Sequence, residues 1–279
     1  MSQIRTLLAK ELLEHKIVTR LPLFLAIFAI INISLIISNT GNFSFNIQSS
    51  GLESWTPTLA GSETFAGVIG LINFLIAGLV TLISFFTYTA RTLAKERKEG
   101  SLAFWHSMPV TDNKAIAMKL VFALVVIPVI SSFLLLFSDL TVWIVGEWFV
   151  PQSLLTEYSV NGMAIVLHYG EFISTMAAMS LALLPVACII LFISQFNGHP
   201  LITIFVIIIL IKIMGSFVFN STVIGDWISQ VNNLSINILL SKTPWLTLLN
   251  IGVPTLIGLF IVTVGFFVLT VRYRSGKVD

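Results

Sequence analysis

The chain is poor in charge. Of its 279 residues only 10% are Asp, Glu, Lys or Arg, whereas 56% are hydrophobic and the mean hydropathy is +0.98. A soluble globular domain carries roughly 25% charged residues. That deficit excludes a conventional water-solvated fold and requires most side chains to face lipid. Cysteine is nearly absent too. Cys188, inside an apolar run, is the only one, which excludes an intrachain disulfide and a cysteine-based metal site. The four histidines, His15, His106, His168 and His199, show no metal-ligand spacing. The Gly276-Lys277 pair is followed by Val278 and belongs to no phosphate loop. Neither a zinc-protease helix motif nor a nucleophile elbow occurs. The expectation is therefore no catalytic site, no metal and no ATP hydrolysis by this chain. The net charge of +2 says nothing about nucleic acid, and no nucleic-acid partner is expected.

What is present is a set of long apolar runs. A helix needs roughly 20 apolar residues to cross a bilayer core. Six stretches qualify, at about 21–38, 66–90, 120–138, 172–194, 200–219 and 246–271. They are continuously apolar rather than alternating, so they predict an all-α membrane protein and not a barrel. No internal repeat or soluble domain interrupts them, and residues 1–279 read as a single transmembrane domain. The first apolar run lacks a cleavage site and follows Glu11 and Glu14, so it is expected to be a retained span.

Orientation follows the bases. Thirteen of the 15 Lys and Arg residues fall in the N-terminal segment, in 91–119 and in the C-terminal tail. The connections 39–65 and 139–171 have none, and 220–245 has only Lys242. By the positive-inside rule both termini are expected in the cytoplasm, with those three basic-poor segments outside. Trp55, Trp143, Trp148, Trp227 and Trp245 fall near the outer interfaces. Pro22 and Pro200 suit the first turns of the first and fifth spans, and Pro128 and Pro185 fall inside spans. Segment 220–245 is expected to lie along the outer surface or to dip back into the bundle. Residues 3–19 have a modest amphipathic pattern, with Glu11 on the same face as Leu8 and Leu12.

Lys212 stands inside the fifth run, and a cation in lipid costs at least about 2.5–3.5 kcal/mol unless paired or wetted. Its candidate partners are Glu171 and Asp139, at the outer ends of the fourth and third runs.

The segment Arg91–Lys119 is the longest cytoplasmic connection. Its charged start predicts that the second span continues as a helix to about Glu99 and stops at Gly100, which reaches left-handed dihedrals without a Cβ penalty. Ser101 can cap a short helix in which Leu102, Trp105 and Met108 share a face beside Phe104, and Pro109 ends it. Thr111 or Asp112 can cap the third span. A helix bearing aromatic and thioether side chains suits either lying flat at the lipid interface or insertion into a partner's groove.

The run Glu96-Arg97-x-x-Gly100-Ser101-Leu102, followed by Ser107-Met108-Pro109-Val110 and Asp112, resembles the cytoplasmic loop of ABC-2-type transporter permeases, between their second and third spans. The six-span layout with both termini inside is similar over nearly the whole chain, and Trp105-His106 departs from the family pattern. The resemblance implies an export permease in a bacterial-type inner membrane. It would work as a dimer with a second copy or a sister permease and be driven by separate ABC ATPase subunits that hold ATP and magnesium. The segment 96–109 would be the coupling helix, with Glu96, Arg97, Gly100, Leu102, Phe104, Trp105, Met108 and Pro109 at the ATPase contact. The alternatives are an ion-coupled secondary transporter and an ABC membrane subunit that transmits force or signal without transport.

Overall fold

The computed structural model describes residues 2–38, 65–98, 111–217 and 223–276. Ten helices order these residues, with no β-strand among them. They are α1 (Ser2–Glu14), α2 (Lys16–Ser38), α3 (Val68–Lys98), α4 (Asp112–Phe149), α5 (Gln152–Glu157), α6 (Gly162–Ser194), α7 (Pro200–Phe217), α8 (Val223–Leu240), α9 (Pro244–Leu249) and α10 (Val253–Ser275). Four helical stretches are long and apolar enough to cross a membrane: α3, α4, α5 together with α6, and α10. The fifth expected run forms the shorter apolar α7, and the first lies within α2.

α6 is the axis of the bundle and packs against α3, α4, α7, α8, α9 and α10. Its sequence explains the position. It is apolar around its circumference, and its buried Ala178, Ala182, Ala187 and Cys188 let neighbours approach closely, as small residues do where helices meet in lipid. Phe74, Phe85, Phe122, Phe172, Met176 and Met179 fill the core. The outward faces of α7 and α10 carry Ile202, Phe205, Leu210, Phe260 and Ile261, an apolar surface suited to lipid. Hydroxyls are satisfied locally. Thr81, Thr89, Thr175, Thr263 and Thr270 each donate to the carbonyl four residues earlier.

Several boundaries differ from the hydropathy reading. Helices outrun the apolar stretches because the helical backbone satisfies itself and charged ends can pair with one another. α3 runs through its charged end to Lys98, as expected. Much of 139–171, read from sequence as an outer connection, is helix: Asp139 lies inside α4, and α6 begins at Gly162, capped by Asn161 Oδ1 accepting from the Ala164 amide at 2.9 Å. Pro22 is inside α2 rather than in its first turn, because the helix starts at Lys16. The last apolar run is two helices, broken where Gly252 adopts φ +88°. Thr111 precedes α4 without a side-chain capping bond. Segment 220–245 contributes α8, which packs on α3, α6, α7 and α9 and buries Leu234, Ile238 and Leu239. Leu239 lies against Gly78, where any Cβ would collide with it.

α4 contains a π-helical turn, Phe122–Val126, just before Pro128. Proline has no amide hydrogen, so it cannot serve the carbonyl of Leu124 four residues back. The Ser180 hydroxyl of α6 donates to that carbonyl at 2.7 Å. The sequence thus creates an orphan acceptor on one helix and its donor on the neighbour, which fixes their register. Ser180→Ala leaves the carbonyl unpaired, and we expect a loss of about 1–3 kcal/mol, read as a lower unfolding midpoint in detergent.

Candidate functional site

One end of the bundle holds a chain of buried ionic contacts. Lys119 of α4 donates to Glu11 Oε1 at 2.6 Å and to Thr92 Oγ1 at 2.8 Å, and its Nζ lies 2.8 Å from Glu96 Oε1. The ammonium thus makes two hydrogen bonds and a further ion pair. The other carboxylate oxygen of Glu96 takes Arg274 Nη1 at 2.8 Å, and Arg274 Nε donates to Asp112 Oδ1 at 2.9 Å. Tyr88 donates its hydroxyl to Glu11 Oε2 at 2.9 Å. Glu11, Glu96, Lys119 and Arg274 are all buried. The network therefore joins α1, α3, α4 and α10, and it brings the first and last helices to the same end.

His15 stands at the bend between α1 and α2, with its ring edge-on to Tyr88. Burial pushes its imidazole down to about 4, although nearby Glu11 pulls the other way. His15 is thus neutral at physiological pH. Its 3.7 Å approach to Glu11 is neither an ion pair nor a hydrogen bond.

The geometry gives residues 99–110 a defined base. Glu96 lies in the last turn of α3 and Asp112 in the first turn of α4, and Arg274 holds both. Next to them, Arg97 donates to the Gln195 carbonyl at 2.9 Å, and Gln195 Nε2 donates to the Thr270 carbonyl at 3.0 Å. The end of α3 and the start of α4 are thereby tied to α10, and through Lys119 to α1. Buried carboxylates and cations in one network have a large desolvation cost, so the arrangement works as a whole or not at all.

A second polar cluster lies in α3, α4 and α6. Asp139 Oδ2 is 2.7 Å from His168 Nδ1, and Asn73 Nδ2 donates to Asp139 Oδ1 at 3.0 Å. Asp139 and His168 are both 0% exposed. The expected pairing of Lys212 with Asp139 does not form. Lys212 donates to Ser229 Oγ at 2.7 Å, and Ser229 in turn donates to the Gly225 carbonyl at 2.9 Å. The reason is topological: α8 lies beside α7 and supplies that hydroxyl, whereas Asp139 faces α3 and α6. Glu171 sits three residues beyond His168 on α6.

Of the residues expected at the partner contact, Glu96 and Arg97 are described: Glu96 is buried between Lys119 and Arg274, and the half-buried Arg97 donates to the Gln195 carbonyl. Gly100, Leu102, Phe104, Trp105, Met108 and Pro109 lie outside the described residues, as does Trp55. Glu11, Lys119 and Arg274 were not singled out by sequence. Only Glu11 left a signal, as a carboxylate on the apolar face of an amphipathic helix. Among the described residues no group of His, Cys, Asp and Glu could hold a metal ion.

No family model, curated protein or solved structure matches this chain. The class the structure itself defines is an all-helical protein with four helices able to span a membrane and a buried ionic network at one end.

Removing one partner of a buried pair while leaving the other costs about 3–5 kcal/mol. Lys119→Met strands Glu11 and Glu96 and is expected to lose stability of that order. Lys119→Met combined with Glu11→Gln should lose less than the sum of the two single changes, a coupling measurable by a double-mutant cycle on thermal midpoints.

Proposed function

We propose that this chain is the membrane-spanning permease subunit of an ABC-2-type exporter. Six spans, α2, α3, α4, α6, α7 and α10, cross a bacterial-type inner membrane with both termini in the cytoplasm. Two such chains, or this chain and a sister permease, form the path. Separate ATPase subunits bind ATP and magnesium and dock on the segment 96–109. Phe104, Trp105 and Met108 are the anchors in that contact. This chain carries no catalysis of its own.

The observation that supports the reading is the Glu96–Arg274–Asp112 clasp. A segment that takes up force from a partner needs stiff attachment at both ends, and here a single buried guanidinium holds the two flanking carboxylates. The motif resemblance falls on the same segment. In this scheme closure of the ATPase pair moves 99–110, and the clasp transfers the displacement to α3, α4 and α10 together. Arg97 contributes by tying the end of α3 to the turn after α6.

The test is purification of the tagged chain in mild detergent from its own host. A stoichiometric subunit with a phosphate loop should copurify, and Trp105→Asp with Met108→Asp should abolish the coupling of its ATP hydrolysis to the permease while membrane insertion is retained. A chain that purifies alone in detergents and nanodiscs, or a double variant that stays fully coupled, overturns the assignment. Flux in proteoliposomes then separates a transporter from a subunit that only transmits force.

A further inference from the structure

α8 carries an exposed polar seam. Asp226, Gln230, Asn233, Asn237 and Leu240 are all exposed. Their successive spacings of four, three, four and three residues keep them in one narrow strip along the helix. The other side of α8 buries Leu234, Ile238 and Leu239 against the bundle.

The seam reaches into the apolar length of the bundle. Leu239 packs on Gly78, ten residues beyond Val68 and about 15 Å along α3. Just after α8, Trp245 Nε1 donates at 2.9 Å to Ser174 Oγ, 12 residues beyond Gly162 on α6. Asn237 stands half a turn before Leu239, and Asn233 one turn before that. The exposed residues of α3 over 68–90 are Ile69, Ile72, Ile76, Leu79 and Ile83, a face made for lipid. Hydrocarbon offers a carboxamide no hydrogen bond, so lipid is a poor cover for the seam.

We propose that this seam is where a second copy of the chain docks, α8 against α8 and parallel to it. A carboxamide has both donors and an acceptor, so a row of them complements its own copy. Two copies inserted the same way in one bilayer are related by a two-fold axis along its normal. That axis sets α8 parallel to α8 and each seam residue opposite itself. The alternating four and three spacing is that of paired helices, and an amide facing its own copy fixes the register of a parallel pair. A wall wetted by water needs polarity but not that repeat. The seam has one charge, Asp226, at the start of the helix. Lys212 lies on the flank between α7 and α8, where it donates to Ser229, one turn from Asp226. Amides across a helix interface also hold helices together in lipid, where apolar contact alone gives no preference.

The inference deepens the reading of the chain as one of two permeases. It rests on that reading for the existence of a partner, names the surface, and chooses a second copy over a sister chain. It requires nothing of an ATPase subunit.

The test uses the full chain in its native membranes. Cys188 is the only cysteine and is buried, so Cys188→Ala gives a background for single cysteines. Oxidation of Asn233→Cys and Asn237→Cys with copper phenanthroline is expected to give a disulfide-linked dimer as the main species. Asn232→Cys, about 100° round the helix, and Phe260→Cys on the exposed face of α10 should give several-fold less. Dimer at all four positions alike, or at none, overturns the proposal. So does reaction of the seam cysteines with a membrane-impermeant maleimide without dimer, which marks a water-lined surface. Chains without engineered cysteines give a second measurement. Tagged and untagged wild-type chains, coexpressed, should copurify. Asn233→Asp with Asn237→Asp sets carboxylates opposite one another and should cut the copurifying share several-fold, while Asn232→Asp leaves it unchanged. Wild-type chains that do not copurify overturn the proposal. A missing ATPase subunit removes the exporter reading and leaves a seam dimer standing, whereas a missing seam dimer beside a copurifying ATPase removes this inference alone.

Discussion

A charge removed from water must find its counter-charge inside the protein, and nearly everything specific about this chain follows from how it meets that requirement. The apolar surface drives helices into lipid but does not say which helix lies beside which, because hydrocarbon tails compete equally well for every isoleucine and phenylalanine. Polar contacts make the choice. Lys119 meets three partners, and Arg274 holds two carboxylates that the chain separates by 15 residues. These pairings are discrete, so they fix which ends of α1, α3, α4 and α10 meet. The Ser180 bond to the Leu124 carbonyl does the same for α4 and α6 with neutral groups.

The two ends of the bundle meet the requirement differently. At the end where 99–110 emerges, cations and carboxylates are plentiful and neutralise one another directly. At the Asp139 end Lys and Arg are nearly absent, and the carboxylate is met instead by hydrogen bonds from His168 and Asn73. α4 runs through both and carries a π-helical turn and a proline between them. Such turns recur where a helix must yield locally. A bend at 122–128 would move the Asp139 half of α4 relative to the Lys119 half without breaking the ionic network.

Residue patterns gave much of this away, though unevenly. The extension of α3 to Lys98 was legible because Arg91 to Lys98 are strong helix formers with no glycine or proline before Gly100. Asp139 was legible as unusual, since a carboxylate bounded by apolar residues must have a partner. Its partner was not legible. Lys212 was attractive by charge, but His168 won by position, and nothing in the spacing of 29 residues marks that contact. Arg274 read as one more base of a cytoplasmic tail. Its burial depends on α10 packing against α6 and the start of α4, which no local pattern announces. The helix outruns the third apolar run, to Phe149, because hydropathy registers transfer to lipid, whereas a helix continues wherever its backbone bonds do.

The sequence by itself determined the solvent and the helical class, because transfer of apolar side chains from water depends on composition and run length alone. It also set the sided distribution of bases, and so the scarcity of Lys and Arg around Asp139. Only the tertiary structure decided which charges meet. Ion pairs and hydrogen bonds act over a few ångströms between groups as much as 178 residues apart, and those distances exist only once the helices have packed.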